Sequence, residues 1–182
     1  MKKYFLFFFL LFFNTEIEAI EKKNIIKNLE SIKNLSFNFE QSIDGKKEKG
    51  NCVLQYPKKI FCKYDLDNQK TLTSNGRYIV IKTTNSHYIY NIKKTPLNLI
   101  LNKNFIIDKI KNADGRILNG KFIGFHFLEN ENEINLFFNK NNYNLIGWQT
   151  IDIYQNLSIT FISSITKNIK IDEKLFILPK QN

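Results

Sequence analysis

The chain has 182 residues, of which 43% are hydrophobic and 14% aromatic, with only three prolines and seven glycines. That composition excludes a disordered chain and suits one folded domain with a real core. The net charge is +10, yet Arg77 and Arg116 are the only arginines. Bidentate phosphate contacts are therefore scarce and the lysines are scattered rather than striped. This argues against a nucleic-acid partner and for a lysine-rich solvated surface.

The first segment reads as an address. Met1-Lys2-Lys3 is basic, residues 4–13 are an unbroken apolar run, and a polar stretch leads to the small Ala19. This is the layout of a secretory signal peptide. The run is too short to span a bilayer as a helix, which takes roughly 20 residues. Residues 1–19 are expected to be a signal peptide cut after Ala19, and residues 20–182 a single domain. No cysteine follows the expected cut, so no N-terminal lipid anchor is expected.

Residues 20–34 read as an amphipathic helix, with Ile25, Leu29 and Ile32 on one face and Ile26 beside them. From Leu35 the period changes to two. Phe37 and Phe39 alternate with polar residues, 44–49 reads as a polar turn, and Cys52, Leu54 and Tyr56 share a face. After a turn at Pro57-Lys58, Ile60, Cys62, Tyr64 and Leu66 share the next. Further strands are expected over 70–74, 77–82 and 87–91, with Asn75-Gly76 as a hairpin turn. The last group covers 121–128, 133–139, 143–152 and 157–163, with a turn at Asn141-Asn142. Which residues face inward in 77–82 and 121–128 stays open, because both runs are apolar throughout. Strands at this spacing imply an antiparallel meander that buries one face and curls.

One helix interrupts the strands. Thr95 is a candidate N-cap and Pro96 a candidate first helical residue, and Leu97, Ile100 and Leu101 fall on one face. Phe105, Ile106 and Ile107 follow. So apolar a helix must bury its stripe, and the concave face of the sheet is the natural place.

The search for chemistry returns little. His87 and His126 both lie in expected strands, away from any metal-ligand spacing. The nucleophile, phosphate-loop and dinucleotide motifs are not found. The expectation is a protein that is not an enzyme and uses no metal or other cofactor. Cys52 and Cys62 flank the Pro57-Lys58 turn. Across a hairpin they either form a disulfide, which an exported protein permits, or pack as two reduced thiols.

The order of pieces is similar to a known family. An N-terminal helix is followed by Leu35-Ser36-Phe37-Asn38-Phe39-Glu40-Gln41, by Gly50 and a strand reaching Pro57, and by residues 60–64. Leu72-Thr73-Ser74-Asn75-Gly76, Thr95-Pro96-Leu97 through Leu101, and Leu145-Ile146-Gly147-Trp148-Gln149 come next. Leu175-Phe176-Ile177-Leu178-Pro179 closes the series. This resembles the periplasmic outer-membrane lipoprotein carrier family (LolA-like) over essentially the whole of residues 20–182.

The resemblance implies an α+β fold: an incomplete, strongly curved antiparallel β-barrel with an N-terminal helix and a short helical lid over an apolar concave face. It implies a monomeric periplasmic carrier that takes acylated lipoproteins from an inner-membrane ABC-type lipoprotein-releasing transporter. Delivery is to an outer-membrane lipoprotein receptor. On this reading Leu54, Tyr56, Ile60, Tyr64, Leu136 and Phe138 line the lipid cavity, and Leu97, Ile100 and Leu101 form the lid. The chain departs from the family where an arginine commonly precedes the proline of the turn and helps latch the lid; here that position is Tyr56. The alternative function is a lipid- or lipoprotein-sensing adaptor of the same fold.

Overall fold

The computed structural model describes residues 14–129, 132–151 and 155–180. The apolar run of 4–13 and the expected strand end at Asp152 lie outside them. Helix α1 spans Asn14–Ser31, so it crosses the expected cut after Ala19. Six strands follow: β1 (Asn34–Ile43), β2 (Lys46–Gln55), β3 (Lys59–Tyr64), β4 (Thr71–Asn75), β5 (Tyr78–Lys82) and β6 (His87–Asn91). Helices α2 (Leu97–Ile100) and α3 (Lys103–Asn112) come next. Strands β7 (Gly115–Leu118), β8 (Phe122–Glu129), β9 (Asn132–Asn139), β10 (Leu145–Ile151) and β11 (Leu157–Lys167) complete the sheet.

All eleven strands form one antiparallel sheet in the order β6-β5-β4-β3-β2-β1-β11-β10-β9-β8-β7, not closed into a barrel. The expected half-barrel is therefore present, with a topology richer than a simple meander. The first and last strands pair at its centre, Leu35 with Lys167 through Ile43 with Ser158. The helical stretch lies between the two edge strands, β6 and β7, and carries the chain from one rim to the other.

Period-two burial puts one face of nearly every strand inside. Leu35, Phe37 and Phe39 of β1, Leu54 of β2, Ile60 and Tyr64 of β3, and Ile134, Leu136 and Phe138 of β9 form one buried cluster. The open alternation of two strands is resolved as well. In β8 the inward set is Ile123, Phe125 and Phe127; in β5, Ile79 and Ile81 face the cluster. Helix α1 adds Ile25 and Leu29, and the residue just past its end adds Ile32, so the expected stripe joins the same cluster, with Ile26 half-buried beside it.

Three local expectations are corrected. The stretch 44–49 is not a turn. Only Asp44-Gly45 turns, both with positive φ, and Lys46 already belongs to β2. Two left-handed residues match the twist of a tight hairpin, so the strands extend to its tip. Thr95 does not cap α2. Its hydroxyl donates to the Ile92 carbonyl at 2.9 Å, which closes the preceding 3-10 turn, and Pro96 stands at the cap without a side-chain bond. The residues after α2 form a helix of their own, capped by the Asn102 side chain, which accepts from the Phe105 amide.

The C-terminal segment crosses the convex face. A 3-10 turn over Glu173–Phe176 buries Phe176 against β3 and β4. Lys59 holds Glu173 at 2.9 Å, while the Pro179 and Lys180 carbonyls meet the side chains of His87 and Lys82. Thr73 and Val80 point to this convex side and are nonetheless buried.

Candidate functional site

The concave face, with Leu97 of α2 over it, forms a partly open hollow of about 60 Å³. Two aromatic rings set one wall. Phe39 and Tyr64 meet edge-on, with ring centroids 4.9 Å apart, across Gly50, which pairs with both of them. A side chain at position 50 would run into the Lys63 carbonyl and the Tyr64 backbone, so glycine is required for this close pairing of β2 with β3. Leu97 closes the hollow from α2, and Trp148 of β10 closes it from the far side.

Of the sequence-predicted residues, Ile60, Tyr64 and Leu97 line this hollow. Leu54, Leu136, Phe138, Ile100 and Leu101 are buried in the continuous apolar cluster around it without lining it. Tyr56 sits at the rim, half-buried against that cluster. The lining that sequence reasoning did not single out includes Phe37, Phe39, Leu72, Trp148, Gln41 and Thr160. The apolar members of that set were visible in the alternation, but Gln41 and Thr160 carried no signal.

Cys52 and Cys62 stand directly opposite each other in the β2–β3 register and are joined as a disulfide. Both belong to the wall of the hollow. The bridge crosses a hairpin, which puts the paired side chains at the short separation a disulfide needs.

Polar contacts tie the cover to the rest of the fold, among them the Lys109–Glu129 ion pair between α3 and β8 at 2.7 Å. The Lys58 amide, in the turn between β2 and β3, donates to the Leu101 carbonyl at the end of α2 at 2.9 Å. Lys103, the first residue of α3, donates its ammonium to the carbonyls of Ile32 at 2.7 Å and Glu30 at 3.3 Å. The same ammonium lies 5.7 Å from the centroid of the Tyr56 ring, within cation–π range. Burial pushes the Tyr56 phenol well above its ordinary range, so it stays neutral.

The interior is polar at one end. Gln41 donates to Ser158 at 3.1 Å, and Thr150, Ser158 and Thr160 are buried beside it. Lys70 and Glu48 pair at 2.6 Å, with the ammonium 4.2 Å from the centroid of Tyr64. The two histidines lie apart from this interior. His87 contacts the Pro179 carbonyl, and His126 is exposed beside Asn135. Among the described residues, no group of three or more His, Cys, Asp or Glu side chains is placed to hold a metal ion. Among the same residues, no helix is long and apolar enough to cross a membrane.

The family model for "Outer membrane lipoprotein carrier protein LolA" matches residues 30–178. No curated protein matches the chain. Among solved structures, an uncharacterized conserved protein from Thermus thermophilus superposes with a TM-score of 0.52 at 8% identity, covering 89% of this chain and 94% of its own. LprF from Mycobacterium bovis gives 0.47 at 9% identity, covering 87% and 97%. A LolA superfamily protein from Nitrosomonas europaea gives 0.45 at 6% identity, covering 88% and 97%.

Proposed function

Because the chain belongs to the outer membrane lipoprotein carrier family, we propose that it binds the acyl chains of lipoproteins inside the curved sheet. On this proposal it ferries them across the periplasm, after export and removal of residues 1–19. The observation that carries the reading is the roofed apolar interior: a continuous buried cluster on the concave face, with Leu97 of α2 laid over the hollow. An acyl chain left in water costs about 0.8 kcal/mol per CH₂. A carrier must offer comparable apolar surface to its cargo, yet cover that surface when empty.

The dimensions support a covered state. A hollow of about 60 Å³ is far below the roughly 300–1,000 Å³ of ordinary ligand sites. Cargo therefore enters by displacing the cover. The polar bonds to be released include the Lys58 amide to Leu101, Lys103 to Ile32 and Glu30, and the Lys109–Glu129 ion pair. Opening also exposes the buried Ile100 and Leu101, so the acyl chains of the cargo must bury comparable apolar surface in their place. Lys103, stacked over Tyr56, takes the place of the arginine latch common in the family.

On this reading the donor is the inner-membrane lipoprotein-releasing transporter and the acceptor is an outer-membrane receptor. The test is release. Added without detergent to inner-membrane vesicles holding the transporter and ATP, the protein carries an acylated lipoprotein into the soluble fraction and leaves its unacylated form behind. Equal recovery of both forms contradicts the carrier reading. Binding of acylated protein without onward transfer moves the assignment to a sensing adaptor.

A further inference from the structure

The interior of the sheet ends in a polar row that a purely hydrocarbon-binding wall has no use for. In strand register, Glu48 faces Gln41, Gln41 faces Thr160, and Thr160 faces Trp148. One step along, Ser158 faces Thr150. Gln41 and Thr160 line the hollow together with Trp148.

Two of these groups are satisfied by specific partners. Gln41 donates to Ser158 at 3.1 Å, and Glu48 is neutralised by Lys70 at 2.6 Å. Thr160 differs. It is only 4% exposed, and its hydroxyl has no hydrogen-bond partner among the described residues. A buried hydroxyl left in that condition carries an uncompensated desolvation cost. Valine has the same shape, suits a strand equally well and carries no such cost. The hydroxyl therefore stands in the wall of an apolar hollow at a price that packing does not recover.

The chemistry of acyl ligands offers the missing acceptor. An acyl chain is apolar along its length and carries a carbonyl oxygen at its head, in an ester or amide. We propose that Thr160, with Gln41 beside it, reads that head carbonyl, so that the chain enters with its tail among Phe37, Phe39 and Leu72 and its head at the polar row. The proposal rests on the carrier reading and adds the group that sets ligand register and selects ester- or amide-linked chains over plain alkyl chains. Lipid-modified proteins and free membrane lipids both carry this carbonyl.

Three probes separate the cases: a lipopeptide with ester-linked palmitoyl chains, its ether-linked counterpart, and dipalmitoyl phosphatidylethanolamine. Binding of each to the full chain is measured for the parent protein, Thr160→Val and Thr160→Ser, after thermal melts establish that each variant folds. The parent is expected to prefer the ester lipopeptide over the ether by about tenfold, the worth of one buried hydrogen bond. Thr160→Val removes that preference by weakening the ester about tenfold, with the ether changed less than about twofold, and Thr160→Ser retains it.

Loss confined to the lipopeptide identifies lipoproteins as the source of the carbonyl, and equal loss for the phospholipid extends the reading to membrane lipid. Equal loss for ester and ether, or an undiminished ester preference in Thr160→Val, overturns the proposal. A parent protein that binds both lipopeptides without preference overturns it while leaving the carrier reading intact. One that binds no probe removes both.

Discussion

The Lys103 ammonium donates to the Ile32 main-chain carbonyl across 2.7 Å and thereby ties the first turn of α3 to the end of α1. The same side chain covers the Tyr56 ring. One residue thus joins three elements: a helix of the cover, the N-terminal helix, and the turn between β2 and β3. Lys103→Met keeps the length of the side chain and removes its donors. It is expected to cost about 1–2 kcal/mol and to speed hydrogen exchange in residues 97–112 more than in β9. Uniform acceleration throughout the chain contradicts a local role.

Gly50 is the second point of leverage. A methyl group there runs into the Lys63 carbonyl and the Tyr64 backbone, which cannot yield as a flexible side chain would. Gly50→Ala is expected to destabilise by about 1–3 kcal/mol in urea unfolding. It should also part the Phe39 and Tyr64 rings, and so weaken acyl binding. A change below about 0.5 kcal/mol is evidence against the tight pairing of β2 and β3.

The disulfide gives a prediction independent of function. Cys52 and Cys62 are ten residues apart in sequence, and closing so short a loop contributes about 2–3 kcal/mol on the chain-entropy account. The Cys52→Ala/Cys62→Ala double variant should unfold at correspondingly lower denaturant. Thiol titration of the unreduced, unfolded parent should find no free thiol; two free thiols contradict the bridge.

The C-terminal strap responds to acid. A hydrogen bond from Lys59, then one from Gln55, hold the Glu173 carboxyl below its ordinary 4.5. A depressed carboxyl stabilises the folded form above the unfolded value, and that contribution is lost as pH falls through the folded one. Backbone relaxation of residues 173–178, followed by NMR from about pH 6 to about pH 3, should show the segment loosening below 4.5 while β9 stays ordered. An unchanged strap at low pH sinks this attribution.

Much of this architecture is written locally. The stripe Ile25, Leu29, Ile32 and the alternations through β1–β3 each name their buried face, because one face must leave water. Asn75-Gly76 marks its turn because the Asn75 side chain accepts from the amides of Arg77 and Tyr78. Other parts leave no local trace. The pairing of Leu35 with Lys167 joins opposite ends of the chain. Strand β7 is four residues long and largely exposed at an edge, so no burial pattern reveals it. The site divides the same way: Ile60 and Tyr64 follow from the alternation and Leu97 from the helical spacing. The cation over Tyr56 and the unpartnered hydroxyl of Thr160 depend on tertiary placement alone.

The most direct test of the carrier account uses the chain's one tryptophan, Trp148, which lines the hollow. A lipopeptide with brominated acyl chains is titrated into the protein while Trp148 emission is followed, with the same peptide lacking its acyl chains as the control. Saturable quenching by the acylated peptide alone is the predicted result. Emission unaffected by the brominated chains, or quenched equally by both peptides, contradicts the claim that acyl chains occupy the interior of the sheet.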